Sequence, residues 1–335
     1  MNQLLRAFRV RRMQYPKKGK NHIINVLNIF AMKPRRRKFF KGEPQHIYQR
    51  TIGGFNIFYD LEDYLVFYTV FSTSACKFNV NVLELCLMVD HVHSLLEAES
   101  RKEMSDFICH YTSIFVKELN RYSGRKGPLF EKAYGNAPKN GDKRIRSAIA
   151  YLFNNPVEKK LCRGAEDYRW NFLAYAASAD SFSQCRRAKY ESKSLLMAKK
   201  EVSNCFENGW YLRYAQIRRM FKKLNDEEKE ILTDFIITTY SQFDYQRLIS
   251  YYGTYETMVL AVNSVTGSEY DIKETYYPHS DTTYEELAEC VRSIEGYEVV
   301  RAVTVLPMEK KISMAERLQQ NTSASILQIR KFLHM

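Results

Sequence analysis

Apolar positions along the chain change period several times, and each change marks an element. In "PQHIYQRTIGGFNIFYD" a β-rich run ends at a Gly-Gly pair, which reads as a strand closed by a turn. Asp60 then stands where a helix over "LEDYLVFYTVFSTSACKF" takes its cap. "NVNVLELCLMV" and "HVHSLLEA" are again β-rich and fit one bent strand or two paired ones. In "KEMSDFICHYTSIFVKELNRYSG" the residues Met104, Phe107, Ile108, Tyr111, Ile114, Phe115, Leu119 and Tyr122 recur at helical spacing, and Gly124 falls at the stop. "GPLFEKAYG" reads as a short strand. "DKRIRSAIAYLFNN" is helical, with a core stripe of Ile145, Ala148, Ile149 and Leu152, and is expected to stop at Pro156. The first six of these elements predict an α+β fold, a ferredoxin-like four-stranded antiparallel sheet with helices on one face, with the last helix as an extra element, within residues 42–165.

Beyond residue 165 the texture changes. Residues 166–205, with the basic "CRRAKYESKSLLMAKKE", read as a linker or exposed helix, and 206–305 as a mainly helical accessory region. The end, 306–335, reads as two short helices with Asn321 and Thr322 in the turn and Ser323 as the second cap. That is helix-turn-helix spacing, in which Gln328, Arg330 and Lys331 would reach a DNA groove. Two ordinary helices completing a bundle have the same pattern.

Charge sharpens this picture. Of 51 Lys and Arg, 13 lie in residues 1–41, which contain no Asp or Glu; the remaining 38 are matched by 38 acidic residues. The whole formal charge of +13 therefore sits in an N-terminal arm, densest at Arg35, Arg36, Arg37 and Lys38. Such an arm suits a polyanion. A start codon assigned upstream of Met32 would make residues 1–31 no part of the natural chain. No apolar run approaches the roughly 20 residues of a membrane helix. The seven cysteines are widely spaced without a CxxC, which points to reduced thiols and a cytoplasmic protein.

The chemistry centres on "CLMVDHVHSLLEA". In a strand, His91 and His93 project from one face and two imidazoles so placed can share a divalent ion if a third ligand arrives. Taken alone the pair also fits a satisfied core. In "RSAIAYLFNNPVEKK", Tyr151 and Asn155 are one helical turn apart, on the margin of the core stripe and near Arg144. Each alone is equally a boundary aromatic and a cap before proline.

Together with "HIYQR" and "LNRYSGRKGPLFEKAYG", these segments occur in the order and spacing of single-tyrosine HUH transposases, and the chain resembles the REP-associated branch of that IS200-like superfamily over residues 32–165. The resemblance implies a ferredoxin-like enzyme that cuts and rejoins single-stranded or hairpin DNA, alone or as a homodimer. It implies Tyr151 as nucleophile, forming a 5′-phosphotyrosine, and His91, His93 and Asn155 as ligands of Mg²⁺ or Mn²⁺. DNA contacts are expected from the arm and from Arg50, Arg121, Arg125, Lys126, Lys132 and Arg144, with Tyr122 and Phe130 stacking on unpaired bases. Many relatives carry Pro-Asn where this chain has Val89-Asp90, and Arg where it has Lys132; neither change removes a required group, and Asp90 is a further group that could touch the metal. The alternative is a DNA-binding regulator on an inactive transposase scaffold.

Overall fold

Two strands of opposite direction carry the centre of the molecule. In this computed structural model, which describes residues 38–183, 191–264, 282–297 and 299–335, β1 (Gln45–Arg50) lies antiparallel to β3 (His91–Glu97). β2 (Asn81–Leu87) flanks β3 and β4 (Gly135–Pro138) flanks β1, so the sheet order is β2-β3-β1-β4, antiparallel throughout. This is the expected ferredoxin-like arrangement. "NVNVLELCLMV" and "HVHSLLEA" are two paired strands. The fourth strand begins only at Gly135, the last residue of "GPLFEKAYG"; earlier in that segment Phe130 makes an isolated bridge to Thr51.

The two faces of the sheet have different partners. Ile47, Val92 and Leu96 point into a core with α1 (Leu61–Phe78) and α2 (Arg101–Ser123). Asp60 holds the N-cap position of α1, and its backbone N–H is taken by Asp63 Oδ2 at 3.1 Å. α2 buries Met104, Phe107, Ile108, Tyr111, Phe115 and Leu119, the stripe read from spacing, and ends at Gly124 with φ +71°, a left-handed conformation that suits glycine. On the opposite face α3 (Asp142–Glu158) packs Ile145, Ala148, Ile149 and Leu152 against Leu83 and Leu95. It runs on through Pro156 instead of stopping there. The proline removes one helical N–H, while burial of Ala148 through Pro156 keeps the turn in place.

After α3, short 3₁₀ turns lead to α4 (Lys193–Glu207), α5 (Tyr214–Phe221), α6 (Asp226–Thr239), α7 (Tyr245–Ser250), α8 (Tyr255–Asn263), α9 (Thr282–Arg292), α10 (Met308–Asn321) and α11 (Ile326–Leu333). The apolar core of the sheet continues without a break through Trp170, Leu195, Ile217 and Ile236 to Tyr240. Residues 38–335 form one compact unit, so the segments after 165 are built onto the sheet rather than tethered to it. No described helix is long and apolar enough to cross a membrane.

Candidate active site

The register of β1 against β3 places Tyr48 opposite His93 and Arg50 opposite His91. Residues opposite each other in an antiparallel pair share a face, and strand side chains repeat every two residues. His46, Tyr48, Arg50, His91 and His93 therefore share the face that α3 covers. The rings of His91 and His93 meet edge to face at 4.8 Å between centroids. Tyr151 on α3 stands over them, its ring 6.0 Å from His93 and 6.1 Å from His46. One turn on, Asn155 Nδ2 lies 3.4 Å from His93 Nε2. The four residues expected to act together do converge. Tyr151, Asn155 and His93 are also buried, at 5%, 3% and 0% exposure, so the site is closed on itself.

Each histidine has its Nδ1 engaged. His91 Nδ1 donates to Asp90 Oδ1 at 2.5 Å, and His93 Nδ1 meets His46 Nε2 at 3.0 Å. Burial, reinforced by His91, His46, Arg50 and Lys159, pushes His93 well below the ordinary histidine range, so its imidazole is neutral, the form that ligates metals. Burial works to raise the Asp90 carboxyl, but neighbouring His91, then Lys331 and Lys159, hold it below the usual range. Among the described residues no group of three His, Cys, Asp or Glu side chains is arranged to hold a metal ion. The side chains that could hold a divalent ion tolerant of nitrogen ligands are the two imidazoles and the Asn155 amide.

His46 was not singled out from the sequence, although it lies in "HIYQR". The signal was its i, i+2, i+4 spacing with Tyr48 and Arg50, legible only once β1 is paired with β3. Gly135 was likewise missed. It sits opposite Tyr48, and a Cβ there would lie 1.9 Å from ring atoms Cε1 and Cζ, so the tyrosine ring lies across the glycine.

The residues expected to grip DNA divide into several groups. Arg50 is half-buried beside the histidines, with its guanidinium 5.9 Å from the Tyr48 ring centroid. Lys38, Lys126, Lys132, Arg144 and Arg330 are exposed, as is Arg121, which also pairs with Glu118 at 3.0 Å. Arg125 spends its guanidinium on its own loop, donating to Asn120 Oδ1 and to the carbonyls of Gly127 and Pro128. Arg35, Arg36 and Arg37 lie outside the described residues. Neither expected stacking aromatic is free. Phe130 is buried, and Tyr122 lies parallel to Tyr214 with centroids 4.1 Å apart.

The terminal helix pair also differs from its expected use. Ser325, not Ser323, caps α11, and Gln328 is the other half of that capping box, accepting from Ser325 N at 3.0 Å while buried. Ser323 instead donates through N and Oγ to Glu286. Lys331 faces inward, 3.8 Å from Asp90.

Residues 29–155 match the family model described as "Transposase IS200 like". Over this stretch the chain is similar to the IS200-like transposases. Every converging residue from His46 to Asn155 falls inside the transposase match, and the helices from α4 onward fall outside it. A solved structure of a REP-associated tyrosine transposase bound to a REP hairpin is 13% identical over 45% of this chain and 88% of that chain, with a TM-score of 0.39. No curated protein matches the chain.

Proposed function

We propose that the protein is a metal-dependent single-stranded DNA endonuclease and strand transferase in which Tyr151 is the nucleophile. The observation that carries this reading is the convergence of Tyr151, Asn155, His91 and His93 on one sheet face. His91, His93 and Asn155 would hold Mg²⁺ or, better suited to two imidazoles, Mn²⁺, which when bound supplies positive charge at the scissile phosphate. Tyr151 Oη would form a new bond to phosphorus as the bond to the 3′ oxygen breaks. The phenolic proton is lost and the leaving oxygen gains one, giving a 5′-phosphotyrosine and a 3′-hydroxyl. One phosphodiester replaces another, so a second 3′-hydroxyl can reverse the step without ATP. Arg50, on the same face, would meet a phosphate oxygen. Hairpin or single-stranded DNA is the substrate class, and exposed Lys126, Lys132, Arg121 and Arg144 supply charge for its backbone.

The test is incubation with labelled single-stranded DNA from the flanks of the protein's own gene, with Mn²⁺, beside Tyr151→Phe. A covalent protein–DNA adduct that disappears in the variant is expected. Tight binding without any adduct would leave a DNA-binding regulator on a transposase scaffold.

A further inference from the structure

The last helix of the chain reaches the candidate metal site. Lys331 of α11 extends over the Gly53-Gly54 turn to Asp90, with Nζ 3.8 Å from Oδ2, and the other carboxylate oxygen takes His91 Nδ1–H at 2.5 Å. All three side chains are largely shielded, with 18%, 24% and 13% of their surface exposed for Lys331, Asp90 and His91. The path of Lys331 is built in. A Cβ on Gly54 would lie 3.1 Å from Lys331 Cε, and the positive φ of Gly54 already disfavours any other residue. Asp90 is tied from a second side by Thr51 Oγ1, 3.4 Å from its carbonyl oxygen. α11 itself is anchored nearby, since the Tyr59 hydroxyl donates to the Phe332 carbonyl at 2.5 Å.

We infer that Asp90 and Lys331 form an outer relay that positions His91: Asp90 holds the ring proton on Nδ1 and so turns Nε2 toward the metal, and Lys331 fixes the carboxylate. Asp90 is then not itself a ligand, and α11 is part of the construction of the site rather than a DNA reader. The inference rests on His91 being a ligand in the proposed reaction. A carboxylate behind a ligating imidazole raises its basicity and fixes its direction, and loss of such a partner lowers metal affinity by about 10–100-fold.

Two measurements on the full chain separate this relay from simpler roles. The first is ring ¹⁵N NMR of the metal-free protein, assigned with His91→Gln. His91 should be in the Nδ1–H form in the parent and shift toward Nε2–H in Asp90→Ala. An unchanged tautomer overturns the relay. The second is Mn²⁺ affinity by EPR titration. Asp90→Ala should weaken binding about tenfold or more, and Lys331→Met about threefold, as a partner one step further out. Lys331→Arg should recover the parent value, and exposed Arg330→Met should leave it unchanged. Removing a positive charge that merely repels the ion would tighten Mn²⁺ binding, so equal or tighter binding by Lys331→Met also overturns the relay. A parent that binds no Mn²⁺ would remove the metal reading of the site, while the tautomer shift would still decide what Asp90 does to His91.

Discussion

At the scale of single residues, the site depends on one side chain that is absent. The Tyr48 ring lies across Gly135 because nothing larger than hydrogen fits between β1 and β4 there. The same ring stands 6.4 Å from His93 by centroids, so whatever moves Tyr48 also disturbs the ligand face. Gly135→Ala forces the ring aside, and overpacking of this kind costs about 1–3 kcal/mol. A lowered melting temperature is expected, together with loss of covalent adduct formation. In a Tyr48→Ser background the clash has no partner, and the same substitution should then be close to neutral. A melting temperature that falls equally in both backgrounds would mean that Gly135 matters for its backbone alone. His46 belongs to this scale too. Its Nε2 lies 3.0 Å from Nδ1 of His93, the second proposed ligand, so His46→Phe should weaken Mn²⁺ binding without unfolding the protein, a difference that calorimetry and circular dichroism together would show.

At the scale of elements, what the sequence made legible was whatever carried its own periodicity. α2 was readable because its apolar stripe is strictly helical and a glycine ends it; His91 and His93 were readable because a two-residue repeat in a strand shares a face. β4 was misplaced because four half-buried residues at a sheet edge, "GNAP", alternate nothing, whereas "GPLF" next to it does resemble a strand. The docking of α11 could not be read, since its anchors are distant in sequence. His334 stacks on Phe55 at 4.5 Å and bonds to the Asn56 carbonyl at 3.1 Å. Burial there, with Arg301, Arg125 and Lys311 near, pushes His334 down to about 3 against that carbonyl's opposing pull. Burial and neighbouring Asp63 and Glu62 push Asp60 up to about 6, against Arg292 and Arg301. The signs are opposite. Between pH 6.5 and 3 the unfolded chain holds a proton on His334 that the folded one lacks, so stability falls as pH falls. Between pH 6 and 3.8 the folded chain holds the extra proton, on Asp60, so stability rises as pH falls. The two contributions offset over that window. His334→Gln should therefore gain stability relative to the parent on going from pH 6 to 4, and Asp60→Asn should lose it, each by about 1.4 kcal/mol per pH unit. Parallel stability profiles for all three proteins would show that neither group is shifted by the fold.

At the scale of the whole molecule, the question is what fastens the helices after residue 165 to the four-stranded sheet. Apolar continuity is part of the answer, but one buried carboxylate joins three segments. Asp63, in the first turn of α1, accepts from Tyr59 N at 2.8 Å, from the Tyr214 hydroxyl of α5 at 2.7 Å and from Arg301 Nε at 2.9 Å. Arg301 Nη2 lies 2.7 Å from its other oxygen and also donates to the Ile57 carbonyl, while its guanidinium covers the Tyr59 ring at 4.7 Å. Both charged side chains are 1% exposed. A pair this buried gains little over an apolar substitute, yet removal of either member leaves the other charged and without water, at a cost of about 3–5 kcal/mol. Asp63→Ala and Arg301→Met should each lower stability by that order. The double variant should lose much less than the two losses added, because neither charge is then stranded. The consequence reaches the site, since Ile57, Tyr59 and Arg301 border the same loop that α11 grips. Arg301→Met should therefore also weaken Mn²⁺ binding through Lys331 and Asp90, and the double variant should restore part of it. Additive losses in the cycle, or Mn²⁺ affinity that ignores Arg301, would show the helices after residue 165 to be held by apolar contact alone and the candidate site to be independent of them.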